Sequence, residues 1–166
     1  MVGHDEELLL AVLNSTPVVD GRPRDVLDGE SGRELVRRWG GAGTEREIVR
    51  LRRARDALQA VVRGDAPAAV DELADVIGEA VRTPCLTSDG ITWELRAPEE
   101  DRLPVEVVLA WSNVSGRFPG RLRACANDEC NLFLLDRSRP GTAKWCSMAT
   151  CGNRMKARAH ASRSRE

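Results

Sequence analysis

A chain of 166 residues, 42% of them hydrophobic, is long enough for one domain with a real core, or one domain plus a small appendage. The first apolar run, residues 8–13, is too short for a membrane span or a signal peptide and has no basic stretch before it. A cytoplasmic protein with reduced thiols is therefore expected, rather than a membrane or exported one. The net charge of −1 is unevenly spread: residues 121–166 hold ten Lys or Arg against four acids, a net +6, which leaves −7 for residues 1–120. Such asymmetry suits a C-terminal half that meets a polyanion, or two halves that attract each other.

Residues 5–14 read as a short amphipathic helix closed by the turn-rich NSTP and DGRP. Ser31-Gly32-Arg33-Glu34 fits a capping box, after which Leu35, Val36 and Trp39 share a face until Gly40-Gly41 stop the helix. Thr44-Glu45-Arg46-Glu47 is a second box, followed by Ile48, Leu51, Leu58 and Val62 at helical spacing and by Gly64 as terminator. Asp65 is placed to cap a further helix with Pro67 in its first turn and Val70, Leu73, Ala74, Ile77 and Val81 as its stripe. The arginines at 46, 50, 53 and 55, interleaved with Glu45, Glu47 and Asp56, read as a solvated face. Gly40, Gly41 and Gly43 lack the preceding strand a phosphate loop needs, and His4 has no partner that would give it a role.

Beyond Ser88-Asp89-Gly90 the pattern alternates through Ile91, Trp93 and Leu95, which predicts a strand within a hairpin. Residues 104–114 contain one charge, Glu106, and predict a nearly buried helix; GRFPG at 116–120 reads as the linker. The expected fold is mainly α (α+β), with a helical domain over residues 1–116 carrying a small β-hairpin. Residues 117–166 form a second, smaller unit. Nothing in the first unit forms an active-site constellation, so no enzyme is expected.

Four of the five cysteines form a symmetric set. Cys125 and Cys130 have four residues between them, fifteen follow, and Cys146 and Cys151 again have four between. Two close pairs across such a spacer are the pattern of a tetrahedral thiolate site, each pair a knuckle and the spacer a hairpin. Residues 132–135 would be its first strand, Arg139-Pro140-Gly141 the turn and Lys144-Trp145 the return. An iron–sulfur cluster takes the same four thiolates, but one structural Zn2+ is the more economical reading for a short finger whose folding energy comes from metal. Arg121, Arg123, Lys144 and Arg154, close in sequence to the ligands, are candidates to offset the −2 charge of the thiolate site. Cys85 stands apart.

After Cys151, Gly152 and Asn153 suit a tight turn, and Met155, Ala157, Ala159 and Ala161 favour a helix. Arg154, Lys156, Arg158, His160, Arg163 and Arg165 cover most of its circumference. A metal-anchored basic helix is a nucleic-acid contact or a solvated tail. Arg137, Arg139, Arg154, Lys156 and Arg158 are the candidate phosphate or base contacts.

The run C-x4-C, Phe-x-x-Asp-Arg-Ser-Arg, Lys-Trp-Cys-Ser-Met-x-x-Cys-Gly-Asn-Arg-x-Lys, over about residues 121–163, closely resembles the CGNR zinc finger, with Cys151, Gly152, Asn153 and Arg154 as its signature. In that family an ABATE domain precedes the finger. Leu13-Asn14-Ser15-Thr16, Asp25-Val26-Leu27 and the helix ending at Trp39 are similar to it, with the family's Asn-Thr pair interrupted by Ser15. The resemblance implies zinc ligation by Cys125, Cys130, Cys146 and Cys151, a DNA-binding finger and a role in stress-induced transcription regulation. The first domain would then sense a small-molecule effector or form a homodimer. The competing expectation is a zinc-stabilised protein-interaction module without direct DNA binding.

Overall fold

The computed structural model describes residues 2–65 and 67–163. Four helices carry the body: α1 (Val2–Leu13), α3 (Glu45–Arg63), α4 (Pro67–Ile77) and α5 (Glu99–Arg117), with the shorter α2 (Gly29–Arg38) against α3. Their apolar faces meet in one cluster that includes Leu9, Val12, Leu51, Leu58, Leu73, Val107 and Val114. The mainly helical fold with small antiparallel β elements agrees with the expectation.

Local chemistry explains the ends of α3. The Thr44 hydroxyl accepts from Glu47 N at 3.2 Å, the half of the capping box that orients the first turn. Gly64 closes the helix at φ +94°, a left-handed conformation in which a Cβ would be strained. The other expected box is not used. α2 begins at Gly29, and its N-cap, Asp28, makes no side-chain cap bond, so Ser31 falls inside the first turn. Packing sets that start: a Cβ on buried Gly32 would overlap the Leu27 backbone, so only glycine lets α2 close on Leu27.

α4 is rotated from its expected face. Ala69, Leu73 and Val76 are buried, while Val70 and Ile77 stay exposed and Val81 belongs to a strand. The expected cap at Asp65 adjoins Ala66, which lies outside the described residues. The NSTP–DGRP segment, read as turns, carries a minimal hairpin, β1 (Val18–Val19) with β2 (Arg22–Pro23), and positive φ at both Asp20 and Gly21 gives the turn a type I′ twist. The larger hairpin pairs β3 (Val81–Thr87) with β4 (Gly90–Arg96) around Ser88-Asp89, as expected. The helix expected at 104–114 is the buried middle of α5, and α5 runs on through Gly116 and Arg117. Phe118 then packs on the core, so no free linker separates α5 from the cysteine-bearing segment.

The arginine-rich face of α3 is a further correction. Arg55 and Glu47 are buried, at 3% and 0% exposure. Arg55 makes a two-pronged ion pair with Asp25 at 2.6 and 2.9 Å and also donates to Ser15 Oγ at 3.2 Å. Arg52 donates to the Leu27 carbonyl at 3.0 Å, and Gln59 to the Leu13 carbonyl at 2.8 Å and Thr16 Oγ1 at 2.9 Å. Arg52, Arg55 and Gln59 follow one stripe of α3 and pin the irregular segment 13–28 to it. Buried backbone without a ladder needs such partners.

Candidate metal centre

A short ladder places the finger. β5 (Leu122–Ala124) pairs antiparallel with β6 (Phe133–Leu135); β5 packs on α3 and β6 on α1. The Asn14 side chain binds both backbone groups of Phe133, accepting from its N–H at 2.7 Å and donating to its carbonyl at 3.2 Å, as a one-residue strand would. The Phe133 ring, 2% exposed, joins the helical core under the Arg63 guanidinium, 4.7 Å from the ring centroid. The spacer is therefore not the expected hairpin. β6 finds its partner ahead of the first cysteine rather than in the return segment, where Lys144 supplies only a carbonyl to Ala126 N at 2.8 Å. Burying Phe133 against the helices favours this pairing, which orients the ring inward.

Cys125 follows β5 directly. A turn closed by Cys130 N to Asn127 O at 2.8 Å returns Cys130 to it. The second pair is bent back by Ser147, whose hydroxyl accepts from Thr150 N at 3.3 Å and whose carbonyl accepts from Gly152 N at 3.0 Å. The intervening wide turn, Met148–Gly152, is of π type and leads into α6 (Asn153–Arg163). All four sulfurs lie within 4.8 Å of one another, and Cys146 Sγ is 3.7 Å from both Cys130 Sγ and Cys151 Sγ. Four thiolates about 2.3 Å from a tetrahedral zinc sit about 3.8 Å apart, so the cradle fits that ion.

Three N–H donors meet the thiolate charge, and two of the four expected cations, Arg121 and Arg123, are turned away from it. Leu132 N donates to Cys130 Sγ and Cys146 N to Cys125 Sγ, each at 3.5 Å, and Asn127 Nδ2 reaches Cys151 Sγ at 3.4 Å. Burial pushes the Cys146 and Cys130 thiols up. Cys151 is buried too, but the Asn127 amide and the neighbouring sulfurs bring it down. Four thiolates held this close repel one another unless a cation lies among them. Arg121 and Arg123 lie elsewhere. Arg121 donates to the Ser138 carbonyl at 2.5 Å, and Arg123 to the carbonyls of Gly120 and Gly141 at 2.8 and 3.0 Å. Buried Asp136 completes this loop by accepting from Ser138 N, Ser138 Oγ and Ala143 N. Its carboxyl is held below the usual carboxylate range first by the Ser138 hydroxyl.

The five expected nucleic-acid contacts divide into two groups. Arg154, Lys156 and Arg158 project from α6, which buries no side chain; Glu129 of the first knuckle pairs with Arg154 at 4.0 Å and Arg158 at 2.5 Å. Arg137 pairs with buried Glu6 of α1, and exposed Arg139 shows no partner among the described residues. Arg165 lies outside the described residues. Residues 1–120 also hold three structural groups whose roles the sequence does not show: Asn14, Asp25 and Arg55. Asn14 and Asp25 stand out only through the family resemblance, and Arg55 only as one of a run of arginines.

Residues 121–164 match the family model of the CGNR zinc finger. None of the curated proteins matches the chain. The match coincides with the cradle just described, and Cys125, Cys130, Cys146 and Cys151 form a zinc-binding group. With four protein ligands no position remains for water or substrate, so the ion's work is structural. Among the described residues no helix is long and apolar enough to cross a membrane.

Proposed function

We propose that this protein is a cytoplasmic, DNA-binding transcriptional regulator whose zinc finger presents α6 to the duplex. In this reading residues 1–116 form an ABATE-like domain that senses an effector or dimerises, in a stress response. The observation that carries the proposal is α6 itself. It spans eleven residues, buries none of them and contains no acid, yet it is anchored at its start to Cys151. A helix this short is marginal in water unless something covers it, and a cationic surface is suited to phosphates. A cavity of about 380 Å3 walled by Trp39, Trp93 and Leu95, with His4, Asp5, Arg82 and Glu106 as its titratable groups, supports the effector role.

Zinc-loaded protein is titrated with mixed-sequence duplex DNA at two salt concentrations. Five phosphate contacts, from Arg137, Arg139, Arg154, Lys156 and Arg158, would give a log–log slope of about −4.5. A flat salt response, or no binding at micromolar DNA, removes the reading.

One observation favours a protein-interaction module instead. Glu129 occupies Arg154 and Arg158, and Glu6 occupies Arg137, so three of the five cations already have acids beside them. Glu129→Gln separates the two. It frees α6 for DNA and should raise duplex affinity under the first reading, and it leaves duplex binding absent under the second.

A further inference from the structure

Four arginines converge on a second concavity, of about 530 Å3, where the end of α5 meets the loop after β6. Arg117, Arg121, Arg137 and Arg139 line it, and among the described residues the carboxylates in its wall are Glu6 and Asp136. A loop clamp would need one cation for each carboxylate, and here there are four for two. Asp136 already accepts from the Ser138 N–H and hydroxyl and from the Ala143 N–H, and Arg121 stands 4.0 Å from it.

The cations are held in place rather than merely near one another. Arg121 is fixed by the Ser138 carbonyl at 2.5 Å. Arg117 stacks on Phe118, 5.2 Å from the ring centroid, and stands 3.8 Å from Glu6. Arg137 is tied to the same Glu6, which is 2% exposed and so fixes both forks from beneath. Each guanidinium carries five donors, and the acceptors within the pocket satisfy only a minority of them. A site with net charge +2 and many aimed N–H groups matches the charge and the acceptor-rich surface of a phosphoryl group.

We propose that this pocket binds a phosphoryl group, with Arg117, Arg121 and Arg137 forming its wall and Arg139 closing over it from the rim. The group is a phosphodiester of nucleic acid or a phosphomonoester of a small molecule. In the first case the inference rests on the DNA reading and extends the contact surface from α6 to the junction with α5.

The zinc-loaded full chain is titrated calorimetrically with inorganic phosphate and pyrophosphate, against chloride at equal ionic strength. Wild type should bind both, and Arg139→Gln should weaken binding about tenfold, the order expected for losing a charge-assisted contact of about 1.4 kcal/mol. Arg139 has no described partner, so zinc content and unfolding midpoint should not change; Arg117→Gln provides a second position. The DNA arm then identifies the source. If each substitution also lowers the duplex salt slope by about 0.9, the ligand is the nucleic-acid backbone. If duplex binding is unchanged or absent while phosphate binding falls, the pocket serves a free phosphoester and stands without the DNA reading. Phosphate binding no stronger than the chloride control, or indifferent to both substitutions, overturns the proposal whatever the duplex result.

Discussion

Asp25→Ala should be among the most damaging single changes outside the metal ligands. It removes both prongs from Arg55, whose side chain is 4% exposed, and takes away the carboxylate that caps Leu27 N at 2.9 Å. Orphaning one member of a buried ion pair costs about 3–5 kcal/mol. Asp56 remains 2.9 Å from Arg55 Nε but is mostly in solvent, so it returns only a little, and the expected loss is about 3 kcal/mol. For a chain of this length that is a fall in melting temperature of about 6–12 °C. Urea unfolding of the zinc-loaded protein near pH 7 reads it directly, as a lower midpoint at unchanged slope. Neutral pH is chosen with the signs in mind. Burial raises the Asp25 carboxyl, but Arg55, Leu27 N–H and Arg52 together bring it below its ordinary 3.8. Its contribution is therefore complete above that value and disappears only as pH falls through the lower folded one. Zinc release by protonated thiolates would hide that acid limb. Asp25→Leu with Arg55→Met should recover much of the loss, because an apolar pair needs no compensation. A loss under about 1 kcal/mol for Asp25→Ala would show that Arg55 reaches water once released, and would refute the buried-pair reasoning.

Glu47 behaves in the opposite sense. Burial pushes its carboxyl above the ordinary 4.5, against the pull of the Gly43, Ala42 and Thr44 N–H groups. Its penalty is thus absent below the unfolded value, grows as pH rises through the window and is full above the folded value. Glu47→Gln keeps an acceptor for Gly43 N at 2.8 Å, so at pH 7 it should be as stable as wild type or more so, by up to about 1 kcal/mol. That difference should shrink toward pH 4.5 in paired melts, and a clear loss at pH 7 would refute the reasoning. Chelating the zinc should raise hydrogen exchange at 125–131 and 145–152 before it does so at Phe133, because Asn14 and the core hold that residue independently. Simultaneous release of all three segments would show that the metal alone holds β6.

The sequence by itself determined the metal centre, because four thiols at fixed short spacing leave little else to be made of them in a reduced chain. It determined most helices too, through apolar periodicity and through Thr44 and Gly64, whose effects act within one turn. Charge pattern was a weaker guide. Arg55 and Glu47 look like members of a solvated face, and only the packing of segment 13–28 and the Gly41–Gly43 turn against α3 makes them interior. The partner of β6 was likewise settled in three dimensions. The apolar run 132–135 identifies a strand, while burial of Phe133 in the helical core selects β5 over the return segment. Which cation answers which acid is also a tertiary matter. Arg121 and Arg123 are near the cysteines in sequence, yet they face the Asp136 loop, and the sulfurs receive backbone and amide N–H groups instead. Spacing encodes what neighbouring residues can hold together, whereas burial and ion pairing depend on surfaces that meet only once the chain has closed.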